Sequence, residues 1–208
     1  MPRDDEVPGV EAWDAWQPPE VAQRLAGVSV PWCVVGGWAL DLWHGAATRS
    51  HEDLEIAVSC ADLPAVQRKL AGFRFYSVVK GQFRFLAEGE EAPADSHQNW
   101  VLDGSEDRWR LDVMLEPGDA ATWIYRKDES LQASRTEMVE TTSEGIPYLL
   151  PHGTLLFKSR GTRPKDEADF EAALPKLPLS SRRWLLEALE KTQPGHHWID
   201  RLAMESTR

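Results

Sequence analysis

Asp53 and Glu55 stand two residues apart, and Asp112 lies in the middle of a strongly apolar run, WRLDVML. Alternate residues of a strand point to one side, so a D-x-E step on a strand projects two carboxylates together. Hard oxygen ligands set side by side suit Mg²⁺. In most sequences D-x-E marks only a solvated strand face. Here Leu54, Ile56 and Val58 give the strand an apolar opposite face. An unpaired carboxylate inside an apolar strand is costly, so Asp112 needs a metal, a hydrogen-bond donor or a basic partner such as Arg110. Beside a metal it could complete the ligand set or accept the proton of an attacking hydroxyl. Glu116 is the weaker alternative, on the same face if the strand stays regular. Upstream, Gly36-Gly37 closes the apolar run over 32–35 and opens a helix. Glycines admit a phosphate close to the backbone, and a helix N-terminus offers free N–H groups and a positive dipole end. A glycine pair alone marks only a tight turn; joined to the acids it suggests a phosphate site.

The elements that must hold these side chains can be read from periodicity. A strand over 32–35, a helix over 38–44 stopped by Gly45 and a strand over 54–58 carry the first two acids. Pro18-Pro19-Glu20 opens a helix to Ala26, and Asp62 caps another to Leu70. Residues 73–79 and 82–86 form a hairpin around Lys80-Gly81, and 97–102 pairs with 108–115 around Asp103-Gly104. On the last strand Trp109, Leu111, Val113 and Leu115 are expected to share one face, with Arg110, Asp112 and Met114 on the other. A further strand is expected over 123–126. After Pro147 the spacing turns helical over 154–160, 166–174 and 180–191. The fold class is therefore α/β (α+β), with an α/β domain over 1–145 and a helical subdomain over 146–208.

At 208 residues with 42% hydrophobic composition, the chain can bury a real core. It shows no apolar leader at its acidic start and no run near the ~18 apolar residues of a membrane span. Cys33 and Cys60 lack a C-x-x-C partner and are expected to be reduced core thiols, so the expected location is cytoplasmic. A net charge of −11 disfavours nucleic acid and suits a cationic ligand drawn to an acidic cleft. Ten tryptophans should serve core and walls, some of them lining a pocket.

Around the acids, Arg49 either neutralises phosphate or pairs with Asp41 or Glu52. His51 is expected to brace Asp53, and Asp41 to meet a cationic ligand or tie down Thr48 and Arg49. Asp166 reads as a helix cap with Glu167 in the first turn. His97, Trp100 and Trp109 are expected in aromatic core or along a pocket wall, and His196-His197 at the surface.

Gly36-Gly37-Trp38-Ala39-Leu40-Asp41, Gly45, Thr48-Arg49, His51 and Asp53-Leu54-Glu55-Ile56 together resemble the signature of antibiotic nucleotidyltransferases. The likeness is to the aminoglycoside 2″-adenylyltransferase and lincosamide nucleotidyltransferase types, within the DNA polymerase β-like superfamily. It is strong over 32–58 and moderate at Leu111-Asp112 with Glu116-Pro117. Glu55 departs from those types, which carry Asp, although other aminoglycoside nucleotidyltransferases use Asp-x-Glu. The resemblance implies a mixed twisted sheet with flanking helices, and a nucleoside triphosphate, ATP, bound with two Mg²⁺. It further implies in-line attack on the α-phosphorus by a hydroxyl of a small cationic acceptor such as an aminoglycoside. Gly36 and Gly37 would then hold phosphates, Asp53, Glu55 and Asp112 the metals, and Asp112 would be the base. Arg49, Lys158 and Lys165 would face the nucleotide phosphates. The alternatives within this outline are a protein or RNA acceptor, or a nucleotide-binding module without catalysis.

Overall fold

The computed structural model describes residues 7–161 and 163–205. The acidic start of the chain, residues 1–6, lies outside the described residues. An eight-stranded mixed sheet runs in the order β4-β3-β5-β6-β2-β1-β10-β9. Its strands are β1 (Trp32–Val34), β2 (Glu55–Ser59), β3 (Arg74–Val79), β4 (Gln82–Leu86), β5 (Gln98–Asp103), β6 (Arg108–Glu116), β9 (Val139–Thr141) and β10 (Pro147–Leu149). Only β2 with β6 and β1 with β10 are parallel; the remaining pairs are antiparallel. The strand expected over 123–126 is β7 (Thr122–Ile124), which pairs with β8 (Gln132–Ser134) in a separate two-stranded sheet.

The helices are α1 (Pro18–Arg24), α2 (Gly36–His44), α3 (Leu63–Lys69), the single turn α4 (Arg135–Met138), α5 (Pro151–Lys158), α6 (Pro164–Ala173), α7 (Leu179–Thr192) and α8 (Trp198–Glu205). None is long and apolar enough to cross a membrane, among the described residues. One apolar core joins sheet and helices, with Val34, Ile56 and Val113 in the same cluster as Leu155, Phe170, Leu185 and Trp198. Each such side chain gains about 1.5–3 kcal/mol by full burial. The sheet extends past residue 145, because β10 pairs with β1 toward one edge. Cys33 is buried, and its thiol is pushed up to about 12 by burial above all. Cys60, expected in the core, is exposed at the end of β2.

One face assignment on β6 is overturned. Val101 pairs with Leu111 but Leu102 pairs with Trp109, so Arg110 is an extra residue in β6, a β-bulge. A one-residue slip reverses side-chain facing. Trp109 therefore leaves the face of Leu111 and Val113 and joins Leu102, Tyr76 and Trp100 in a small aromatic cluster on the face of Asp112.

Candidate active site

The strand–Gly-Gly–helix unit forms as expected, except that α2 starts at Gly36 itself. Gly36 has φ +67°, a left-handed conformation that L side chains rarely adopt. A Cβ there would also overlap the Glu55 carboxylate, and one on Gly37 would overlap Arg49 and His51. The two glycines thus leave room for an acid on one side and for basic side chains on the other.

Glu55 and Asp112 are register neighbours across the parallel β2–β6 pair, and the Asp112 amide donates to the Leu54 carbonyl at 2.9 Å. Neighbours in register share a sheet face. Asp53 stands two residues before the strand begins, exposed, with its carbonyl accepting the Trp38 indole N–H at 3.0 Å. Asp112 is 1% exposed. Its Oδ2 accepts from Gln98 at 2.8 Å and from the Trp100 indole at 3.1 Å. Its Oδ1 has no hydrogen-bond partner among the described residues. Pairing with Arg110, the other reading of this residue, does not occur: that guanidinium serves Asp14, Glu106 and Asp103. Burial first, then the Glu55 charge, hold the Asp112 carboxyl well above the usual carboxylate range. Burial and Asp53 raise Glu55 in the same sense, partly offset by Lys158, Arg163 and Lys165. Glu116, the weaker candidate, is neutralised by Arg135 at 2.5 Å.

Opposite the acids stands a set of cations, Lys158, Arg163 and Lys165 from the helical half and Arg49 from the loop after α2. Lys158, buried at the end of α5, pairs with Asp169 at 2.7 Å and Asp166 at 3.3 Å. Arg49 grips both oxygens of Asp169, each at 3.1 Å. Its partner is thus Asp169, not Asp41 or Glu52. Burial alone would raise the Asp169 pKa, but its hydrogen bonds from Arg49 and Lys158 outweigh that and hold it low. The N-cap of α6 is Arg163, not Asp166 as expected; Asp166 lies in the first turn, accepts the Arg163 amide at 3.2 Å and also pairs with the Arg163 side chain. Glu167 instead receives the Trp198 indole at 2.9 Å and His197. Lys165 is exposed at the rim. His51 braces Asp41 at 2.6 Å, not Asp53, and lies against the Trp38 ring. Because Arg49 can only donate to His51 Nδ1, the ring proton is on Nε2, toward Asp41. The other Asp41 oxygen holds the Thr48 amide and hydroxyl.

These groups border a polar hollow of about 830 Å³, lined by Gly37, Arg49, Asp53, Glu55, Lys158 and Lys165. A second hollow of about 780 Å³ shares Glu55, Lys158 and Arg163 with it, and is walled by Met114, Trp123 and Phe157. Among the described residues, no three carboxylate, imidazole or thiol side chains are gathered into a ready metal cage. The fit to a divalent cation rests instead on the adjacent Glu55 and Asp112, hard oxygen donors, and on the orphaned Oδ1 of Asp112. Of the residues singled out in the sequence, Gly37, Arg49, Asp53, Glu55, Lys158 and Lys165 border one hollow, Gly36 borders the second, and Asp112 lies beneath them beside Glu55. Asp169 carried a faint signal only, an Asp three residues after Asp166 and next to Phe170, on the side of α6 that becomes buried.

A family model described as aminoglycoside-2″-adenylyltransferase matches residues 19–172. Two solved structures are similar. The antibiotic-resistance factor ANT(2″)-Ia, in a solution structure, is 14% identical with a TM-score of 0.52, over 90% of this chain and 92% of that one. The lincosamide antibiotic adenylyltransferase LnuA, with lincomycin bound, is 16% identical with a TM-score of 0.50, over 76% of this chain and 95% of that one. At these identities the likeness is one of fold. No curated protein sequence matches the chain.

Proposed function

The chain belongs to the aminoglycoside-2″-adenylyltransferase family, and on that premise we propose that it moves AMP from ATP to a hydroxyl of a small cationic, aminoglycoside-like acceptor, releasing pyrophosphate. The observation that carries this reading is Asp112, a buried carboxylate with one unpartnered oxygen, in register with Glu55 beside the Gly36-Gly37 turn. The triphosphate would lie in the polar hollow, its oxygens approaching the Gly37 backbone and facing Lys158, Lys165 and Arg163. The adjoining hollow, with Trp123 and Phe157 in its wall, suits the flat nucleobase.

Asp53, Glu55 and Asp112 would hold Mg²⁺, which when bound neutralises the triphosphate and polarises the α-phosphoryl group. Asp112 accepts the acceptor hydroxyl's proton as the new O–P bond forms and the bond to pyrophosphate breaks. Gln98 and the Trp100 indole fix one carboxylate oxygen and leave the other to act. The test is a pyrophosphate-release screen of ATP and GTP with Mg²⁺ against aminoglycosides, lincosamides and a blank, with product masses. ATP with an aminoglycoside should release pyrophosphate and add one AMP, and Asp112→Asn should be silent. Release that ignores the acceptor, or full activity in Asp112→Asn, would overturn the reading.

A further inference from the structure

Residues 7–17 lie before the stretch that the family match covers, 19–172, yet they are built into the site. The segment runs along β6 just upstream of Asp112. Trp13 bridges Trp109, the Asp14 amide donates to the Trp109 carbonyl at 3.0 Å, and the Trp16 amide to the Arg110 carbonyl at 3.0 Å. The Trp109 indole returns a bond to the Gly9 carbonyl at 3.1 Å, and Arg110 pairs with the Asp14 carboxylate. Trp13 then packs edge-on against Trp100 at 4.9 Å, the same indole that donates to Asp112 Oδ2. The segment is therefore one ring away from the carboxylate whose second oxygen is buried and unpartnered.

Between this segment and α2 opens a cleft of about 1050 Å³, lined by Glu11, Trp13, Asp14, Trp38, His51 and Glu52. Trp38, His51 and Glu52 also line the phosphate hollow, so the two spaces adjoin at these residues, next to Asp53. Two half-buried indoles offer apolar faces to a sugar ring, and such faces also attract ammonium groups. Glu11 and Glu52 are exposed and have no ion pair with a described residue, and Asp14 shares only Arg110. A small polycation whose rings have apolar faces matches this lining, whereas an anion would be repelled.

We infer that the N-terminal segment completes the acceptor site: the cleft binds an amino-sugar ring between Trp13 and Trp38, with its ammonium groups against Glu11 and Glu52, and presents its hydroxyl toward Asp112. This rests on the transfer reaction proposed above. The probe is tobramycin, read both by isothermal titration and by pyrophosphate release with ATP. Glu11→Gln combined with Glu52→Gln keeps shape and removes charge. It should raise tobramycin Kd and KM about five- to tenfold, and high salt should erase the difference. Trp13→Ala should raise the tobramycin KM further and Trp13→Phe should restore most of it. Should Trp13→Ala fail to fold, the paired glutamine variant decides alone. Wild-type turnover of tobramycin with an unchanged KM in the glutamine variant overturns the cleft assignment and leaves the reaction standing. A wild-type protein that neither binds nor adenylylates tobramycin, yet modifies lincomycin or another uncharged-ring acceptor, overturns the acceptor class and the cleft together.

Discussion

Asp112 is kept where a carboxylate is least at ease, 1% exposed and beside Glu55, with two donors on one oxygen and none on the other. Its folded pKa is raised by burial and by Glu55. The folded chain therefore binds this proton more tightly than the unfolded chain. Stability is greatest below the unfolded carboxylate pKa and drains as pH rises through the folded value. Asp112→Asn should consequently lose turnover yet melt a few degrees higher at neutral pH without divalent cation, a gain of about 1–2 kcal/mol. Added Mg²⁺ should raise the wild-type melting temperature and leave that of the variant nearly unmoved. A wild-type acid limb of kcat/KM lying above the ordinary carboxylate range would match the same shift. At this scale the sequence was informative. A lone Asp inside WRLDVML and a D-x-E at the mouth of an apolar strand signal their environment through their immediate neighbours. Partners far along the chain do not. Arg49 finds Asp169 across 120 residues, and only packing of α6 against α2 and α5 brings them together.

The clamp between α5, α6 and the loop after α2 is the element whose loss should be felt twice. Asp169 neutralises buried Lys158 and part-buried Arg49. Breaking a buried pair by removing one partner costs about 3–5 kcal/mol. Asp169→Asn should lower the melting temperature by several degrees and raise the ATP KM more than it lowers kcat, since both cations border the hollow proposed for the triphosphate. The pH sense is opposite to that of Asp112. Because the Asp169 pKa is depressed, its contribution is present above the unfolded carboxylate value and is lost as pH falls through the folded one. The variant should therefore show a shallower loss of stability in acid. Elements with long periodic runs were legible, among them α3, β3, β4 and α7. The three-residue strands β8, β9 and β10 were not, since their neighbours in the sheets hold them, with no periodicity of their own to read.

At the scale of the whole molecule, the family match ends at residue 172 while the core continues beyond it. Trp198 of α8 stacks on Phe170 of α6 at 4.1 Å and an interplanar angle of 5°, and Leu202 is fully buried. Its indole also holds Glu167. Removing residues 194–208 should cost roughly 4 kcal/mol from those two side chains alone, read as a melting temperature lower by about 8–16 °C. A truncated chain as stable as the full one would mean that α8 is not part of this core. The helix itself was missed in the sequence, although Trp198, Ile199 and Leu202 fall at helical spacing after a Pro-Gly stop.

The bulge at Arg110 gives β6 two tenants with different needs. Downstream, Asp112 must stay level with Glu55; upstream, Trp109 must turn to receive the N-terminal segment. A strictly alternating ribbon could satisfy only one of them. Pairing Arg110 into a regular ladder, with no residue left over, would keep the acid in place while rotating Trp109 to the reverse surface, stranding Trp13 without its seat. A single surplus residue thus works as a swivel, letting whatever lies before it be refashioned without retuning the chemistry that follows.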